Sequence, residues 1–331
     1  MDVMRHRAGL SYTDDGNPNT DDLLPLFDPS AINSTQQIGE IIARSKANYV
    51  RAEETRTAYH GITRGLILNE VVRRADSRGR TIGQLLQEEM IPRWPGVEFH
   101  IGLKNSGGRE KEESLFSQIH SDSVIWRLRV IGGILARFIV GDVLGWCDPL
   151  PSIPHNISRF LWEDVLSGSI LSSPLVRSGE TIKGARIFAM PELHATDYAR
   201  WVESPSSNGM SNARSMAAIM NDVLRMGEQE DPLLCNVTRK RFFQHDTKAD
   251  YDIAIHANVI YTDGGLARFH EDFGPFNGFY GWAGMGGSFM LLDPVSDVAV
   301  AYATTRMETL SPWDDPRTHH ILRCLRHIIS L

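Results

Sequence analysis

Cysteine is scarce in this sequence, with three residues among 331, and no two of them form a Cys-x-x-Cys pair. Such isolated cysteines exclude the disulfide framework of small secreted domains and the paired thiolates of a structural zinc site. They are typical of proteins that fold in a reducing compartment.

Long hydrophobic runs and blocks of like charge are also missing. The most apolar stretch, Val130–Trp146, is interrupted by Arg137 and Asp142, so we expect buried core and not a membrane span. The first residues lack the apolar centre of a signal peptide. The net charge of −7 comes from interspersed charges that form no basic patch. We therefore expect no nucleic-acid partner, no membrane partner and, for the chain as printed, a cytoplasmic location.

The common cofactor and catalytic motifs are absent as well. The glycine-rich stretch "YGWAGMGGSFMLLDP" (280–294) is neither a P-loop nor a dinucleotide fingerprint, because no Gly-Lys-Ser/Thr follows and Phe289 replaces the last glycine. The sequence has no Gly-x-Ser-x-Gly elbow and no His-Glu-x-x-His. The adjacent His270, Glu271 and Asp272 favour a solvated loop, since neighbouring loop residues rarely converge on one ion. We expect no cofactor and no metal.

Helical patterns dominate the first two-thirds of the chain. Capping-box patterns open "STQQIGEIIARSK" at Ser34 and "TIGQLLQEEM" at Thr81, and Pro92 is expected to end the second helix. "GITRGLILNEVVRR" has apolar residues on two sides, which is typical of a largely buried helix. "SNARSMAAIMNDVLRM" predicts a further amphipathic helix, capped by Ser211.

The remaining third is rich in strand patterns. "DIAIHANVIYT" alternates as a strand does, and "SFMLLDPVSDVAVAYATT" predicts a hairpin. A last helix is expected to begin near Pro316. This order predicts an α+β protein with an antiparallel sheet, in which residues 1–249 form a mostly helical lobe and residues 250–331 form the sheet and the C-terminal helix.

The glycine-rich stretch has two interpretations. It can be a tight turn that enters a buried strand. Alternatively, a bare strand edge can present its N–H groups to a substrate carbonyl, as in an oxyanion hole, because glycine allows close approach to the backbone. A large side chain such as Trp282 would then form a wall of the pocket.

Several segments follow one another in a family-specific order: "HRAGL" (6–10), "TAYHGITRGLILNEVVRRADSRGRTIGQLLQEEM" (57–90), "PSSNGMSNARSMAAIM" (205–220), the glycine-rich stretch and "YATTRM" (302–307). Together they resemble the serine β-lactamase-like family, in its class C β-lactamase and esterase branch. The resemblance implies a β-lactamase/transpeptidase-like fold, with a helical lobe and an antiparallel sheet flanked by a C-terminal helix. It also implies hydrolysis of small-molecule esters or amides through an acyl-enzyme.

The resemblance assigns site residues by position. Tyr59 matches the tyrosine that acts as general base or proton relay. Trp282, Ala283 and Gly284 match the triplet of the strand that lines the substrate pocket, and Trp at the first place is more similar to the esterases. The backbone N–H of Met285 then matches an oxyanion donor.

The family's nucleophile motif is the departure from this pattern. In the 331 residues no serine is followed three positions later by lysine, so neither the nucleophile nor its lysine is found. We expect a chain that lacks the first segment of the family fold, including part of the sheet lobe, and that is inactive as written. Two classes stay open: a truncated form of a hydrolase, or a non-catalytic binding or scaffold protein that keeps the pocket.

Overall fold

The structure, a computed structural model, describes residues 2–13, 34–47, 57–102, 120–121, 203–225, 235–284, 286–307, 313 and 315–329. In this part of the chain the α-helices are α1 (Ser34–Arg44), α2 (Thr63–Ala75), α3 (Ile82–Leu85), α4 (Ala213–Leu224), α5 (Asn236–Phe242) and α6 (Pro316–Ile329). The strands are β1 (Phe99–Ile101), β2 (His120–Ser121), β3 (Gly209–Ser211), β4 (Asp250–Asp252), β5 (Ala257–Tyr261), β6 (Ala267–Arg268), β7 (Tyr280–Ala283), β8 (Phe289–Asp293), β9 (Val298–Tyr302) and β10 (Arg306–Met307). The predicted α+β class is confirmed.

Strands β4 to β9 form one antiparallel sheet in which each strand pairs with its neighbour in sequence. In this sheet β7 pairs with β8, and Trp282 lies opposite Met290. The predicted hairpin is β8 and β9. Its turn is stabilised by Asp293, whose carboxylate accepts the N–H of Val295 at 2.9 Å.

Both faces of this sheet carry a hydrophobic core. Leu291 belongs to a cluster that includes Leu322 of α6, and both side chains are fully buried. Leu292, the next residue of β8, packs instead with Met220 and Leu224 of α4. Successive side chains of a strand point to opposite faces, so β8 contributes to both clusters.

Two helix boundaries differ from the sequence prediction. Helix α4 is capped by Asn212, whose side chain accepts the N–H of Ser215 at 2.9 Å, whereas the predicted cap, Ser211, is the last residue of β3. Pro92 does not end the helical segment that begins with α3. A π-helical turn, Leu86–Met90, and a 3₁₀ turn, Ile91–Arg93, follow α3, and a proline is tolerated in the first positions of such a turn.

The expected strand "DIAIHANVIYT" (252–262) forms a strand only in its second half, β5, and its first residue is the end of β4. The chain turns between β4 and β5, and His256 in this turn has a left-handed backbone conformation with φ of 51°. The strand-like sequence pattern continues through the turn, so alternation of apolar and polar residues alone cannot locate it.

Some predictions fall outside the described residues, including the buried core at Val130–Trp146. The division into a lobe of residues 1–249 and a sheet of residues 250–331 stays a prediction. None of the helices in the described part of the chain has the length and hydrophobicity needed to cross a membrane.

Candidate functional site

Tyr59 and Trp282 come from distant parts of the sequence and stack on each other. Trp282 lies on β7, and Tyr59 precedes α2 in the segment that forms a β-bridge between Thr57 and Asp252. The ring centroids of Tyr59 and Trp282 are 5.1 Å apart with an interplanar angle of 22°. This is an offset-stacked aromatic pair, which contributes about 0.5–1.5 kcal/mol beyond the burial of its area.

His6 and Tyr261 complete what we call the aromatic cluster: His6, Tyr59, Tyr261 and Trp282. The His6 ring centroid lies 4.9 Å from that of Tyr59 and 4.6 Å from that of Tyr261. His6 and Tyr261 are buried, whereas Tyr59 and Trp282 are only partly buried. The accessible surface of the cluster in the described residues is therefore provided mainly by Tyr59 and Trp282.

A buried carboxylate fixes the backbone next to the aromatic cluster. Asp252 is fully buried, and its Oδ1 accepts the N–H groups of Tyr59 at 3.0 Å and Ala254 at 2.9 Å. Its Oδ2 accepts the hydroxyl of Tyr261 at 3.2 Å. Burial raises the pKa of Asp252, and these hydrogen bonds offset part of that effect. Asp252 thus links the two tyrosines of the cluster.

The Tyr59 hydroxyl is neutral at physiological pH. Burial raises the pKa of Tyr59 above its ordinary value near 10, while the guanidinium of Arg64 and a hydrogen bond from the Trp282 indole lower it in part. Arg64 is held in place by the carbonyl of Gly265, to which its Nη1 donates at 3.0 Å. A neutral phenol can donate a hydrogen bond to a ligand but is a poor general base.

Two histidines beside Tyr59 are neutral as well. Burial lowers the pKa of His6 well below its ordinary value, and the positive charge of Arg64 lowers it further. Burial lowers the pKa of His60 to about 4. The ring of His60 lies 2.6 Å through Nδ1 from the carbonyl of Ala58, and its Nε2 accepts the N–H of Leu10 at 3.1 Å. This pattern fits the neutral tautomer with the proton on Nδ1.

The glycine-rich stretch forms the turn from β7 to β8. The N–H of Gly284 donates to the carbonyl of Ser288 at 2.7 Å, and the N–H of Gly287 donates to the carbonyl of Gly284 at 3.0 Å. Met285 lies outside the described residues. Its role as the oxyanion donor stays a prediction.

The start of α6 holds this turn from the side. Arg317 donates through Nη2 to the carbonyl of Gly286 at 2.9 Å, and Thr318 donates to the carbonyl of Gly287 at 3.1 Å. Arg317 also pairs with the fully buried Asp315. A Cβ on Gly287, whose φ is 99°, would overlap that carboxylate. Glycine at this position is therefore required by the packing of α6 against the turn.

The structure brings together two of the residues predicted from sequence, Tyr59 and Trp282. Ala283 packs in the hydrophobic core with only 2% of its surface exposed, and Gly284 starts the turn. Sequence reasoning assigned no role to the other residues around Tyr59, which are His6, His60, Arg64, Asp252 and Tyr261. His6 lies in the "HRAGL" segment, so that motif is the one signal that could have drawn attention to it.

Comparisons with known proteins agree with this architecture. The sequence model of the family described as Beta-lactamase matches residues 1–323. The fold is similar to that of a penicillin-binding protein homolog from Caulobacter crescentus, with a TM-score of 0.64, 20% identity and coverage of 98% of this chain and 70% of that chain. EstA from Arthrobacter nitroguajacolicus Rue61a gives a TM-score of 0.64 and 18% identity over 99% of this chain and 72% of that chain. A family VIII carboxylesterase gives a TM-score of 0.65 and 17% identity over 98% of this chain and 69% of that chain. The comparison with curated proteins returns no match.

Proposed function

Because this chain belongs to the beta-lactamase family, we propose that its aromatic cluster contacts a small-molecule ester or amide at a serine-hydrolase-like site. The observation that supports this most directly is the stack of Tyr59 on Trp282, since both were assigned to one site from sequence positions far apart. Both rings keep accessible surface on which an acyl or aryl group can pack.

Tyr59 serves this site as a hydrogen-bond donor. Its oxygen receives the indole hydrogen bond of Trp282, and its pKa is raised, so the phenol keeps its proton at neutral pH. In this form the hydroxyl can donate to the carbonyl or leaving-group oxygen of a bound ester. To act as a general base, Tyr59 would need a much lower pKa, and the positive charge of Arg64 does not lower it enough to offset burial.

We further propose that residues 1–331 by themselves bind such a ligand without forming an acyl-enzyme. No Ser-x-x-Lys occurs in the sequence. Ser288, the serine beside the glycines, accepts the N–H of Thr304 at 3.0 Å and donates to the carbonyl of the same residue at 3.4 Å, so within the described residues its hydroxyl bonds to backbone and not to a basic side chain. A serine without a neighbouring base is a weak nucleophile.

A second candidate is a non-catalytic binding or scaffold protein, and the neutral Tyr59 favours it. Sequencing the 5′ end of the transcript separates the two candidates. An in-frame Ser-x-x-Lys codon pattern upstream of Met1 would support the hydrolase, and a stop codon in that frame would support the binding protein.

The absence of acylation is tested with a fluorophosphonate probe on the purified 331-residue chain. We expect the intact mass to stay unchanged after incubation, because a covalent adduct requires an activated serine. A complete serine esterase run in parallel shows that the probe is reactive. Labelling that maps to any serine of this chain, Ser288 included, would contradict the proposal.

Ligand contact is tested separately by titrating the chain with phenyl acetate and following ligand resonances by saturation-transfer NMR. Trp282→Ala should weaken binding about tenfold, because it removes the ring on which the ligand packs. Val295→Ala is the matched control, since Val295 is 95% exposed on the β8–β9 turn. Equal affinities of the two variants would show that the ligand does not contact the aromatic cluster.

A further inference from the structure

The backbone N–H groups of Ala58, Tyr59 and His60 all donate hydrogen bonds, and His6 accepts two of them. The N–H of Ala58 donates to the carbonyl oxygen of His6 at 3.1 Å, and the N–H of His60 donates to its ring Nδ1 at 2.9 Å. The N–H of Tyr59 itself donates to Asp252 at 3.0 Å. One residue from the N-terminal segment therefore holds the amide groups of both neighbours of Tyr59.

His6 reaches these two amides only in an uncommon backbone conformation. Its φ is 57°, in the left-handed region that few non-glycine residues adopt. The residue is completely buried. A local turn, in which the N–H of His6 donates to Val3 and that of Arg7 donates to Asp2, accompanies this conformation. A conformation of this kind persists where the surrounding structure fixes it.

Ion pairs on both sides of His6 supply that constraint. Arg5 contacts Asp263 and Asp246, each at 2.7 Å, and Arg7 contacts Asp246 at 2.9 Å and also Asp250. We call these five residues the charged clamp. The side chains of Arg5 and Asp263 are about nine-tenths buried, so their pair is screened less than a surface pair. The clamp ties both neighbours of His6 to the segment around β4.

We propose that His6 is the positioning residue for Tyr59, and that the charged clamp holds His6 in the conformation that this task requires. The inference rests on the proposed function, because the orientation of Tyr59 matters there for its hydrogen bond to a ligand. The chain of contacts runs from the clamp to the backbone of His6, then to the amides of Ala58 and His60, and finally to the Tyr59 ring.

A catalytic role for the His6 ring is disfavoured by its own contacts. Its Nδ1 accepts the His60 N–H, so the single proton of the neutral ring is on Nε2, which lies 2.9 Å from Nη1 of Arg64. Protonation would remove the first hydrogen bond and place a second positive charge beside Arg64. The ring is thus suited to fix its neighbours and not to move a proton.

The first test replaces His6 in the 331-residue chain labelled with 3-fluorotyrosine. Tyr59→Phe identifies the Tyr59 fluorine resonance. In His6→Ala, which loses the ring acceptor and disfavours positive φ, we expect that resonance to move toward the position of the unfolded chain. The His60 amide should exchange with solvent roughly tenfold faster, in line with one lost hydrogen bond. His6→Asn should retain the parent values, because asparagine tolerates the left-handed region and its Oδ1 stands where Nδ1 stood.

The second test leaves His6 in place and changes the charged clamp through Asp246→Asn. We expect the Tyr59 resonance to move in the direction seen for His6→Ala, while the resonance of Tyr302 on β9 stays unchanged. If His6→Ala does not fold, this variant still decides the question. Unchanged Tyr59 resonances, or an equal shift of Tyr302, would overturn the inference. Because these readouts need neither ligand nor activity, a failed phenyl acetate titration would count against the proposed function alone.

Discussion

Replacing Gly281 by alanine is expected to destabilise the fold by roughly 3 kcal/mol or more, a large part of the 5–15 kcal/mol of a typical domain. Gly281 lies in the middle of β7 opposite Leu291, with φ of 142°, a backbone conformation that side chains rarely adopt. A Cβ at this position would overlap the carbonyl oxygen of Met290 on β8. Because both obstacles are backbone, neither can be relieved by a change of rotamer. Unfolding in urea measures this decrease in the free energy of unfolding.

Gly284→Ala is the matched control for this prediction. Gly284 lies three residues further along the same segment, and the nearest atom to an added Cβ there is the carbonyl oxygen of Ser288 at 3.8 Å. Because this contact is ordinary and the φ of Gly284 is unstrained, we expect the free energy of unfolding to change by no more than about 1 kcal/mol. Near-ultraviolet circular dichroism should also show a loss of the Trp282 signal in Gly281→Ala only. Equal unfolding midpoints for the two variants would refute the argument from the β7–β8 pairing.

The free energy of unfolding is expected to fall by about 3 kcal/mol between pH 6.5 and pH 4 because of His60 alone. Burial lowers the pKa of His60 from 6.5 to about 4 in the folded chain. In this window the unfolded chain binds a proton at His60 that the folded chain does not bind, so stability decreases as pH falls. Each unit of pKa difference corresponds to about 1.4 kcal/mol. The lowered pKa of His6 acts in the same direction.

The contribution of His60 is isolated by comparing the parent chain with His60→Gln. The glutamine amide oxygen stands near the position of Nε2 and can accept the N–H of Leu10, but it does not titrate. Asp252 and Glu203, whose pKa values are raised by burial, act in the opposite direction but are present in both proteins. We expect the free energy of unfolding, measured in urea, to fall less with decreasing pH in His60→Gln than in the parent chain. Parallel curves from pH 6.5 to 4 would disprove the assignment.

Local sequence patterns were sufficient for many elements of the fold. The box of Thr81 and Gln84 forms as predicted, with the N–H of Thr81 donating to the Gln84 side chain at 2.9 Å. The final helix begins at Pro316, and the hairpin around Asp293 lies where the turn residues indicated. These features depend on residues within a few positions of one another. Local patterns failed where two neighbouring residues competed, as at Ser211 and Asn212.

The sequence by itself determined the family, the α+β class and the choice of Tyr59 and Trp282, whose rings stack at the candidate site, because motif order and periodicity are written along the chain. Only the tertiary structure decided that the Tyr59 peptide is held by His6 and Asp252, and that Arg64 lies beside it. These contacts join segments far apart in sequence. Their geometry follows from the packing of the N-terminal segment on the sheet, and burial there sets the protonation of Tyr59, which no linear pattern encodes.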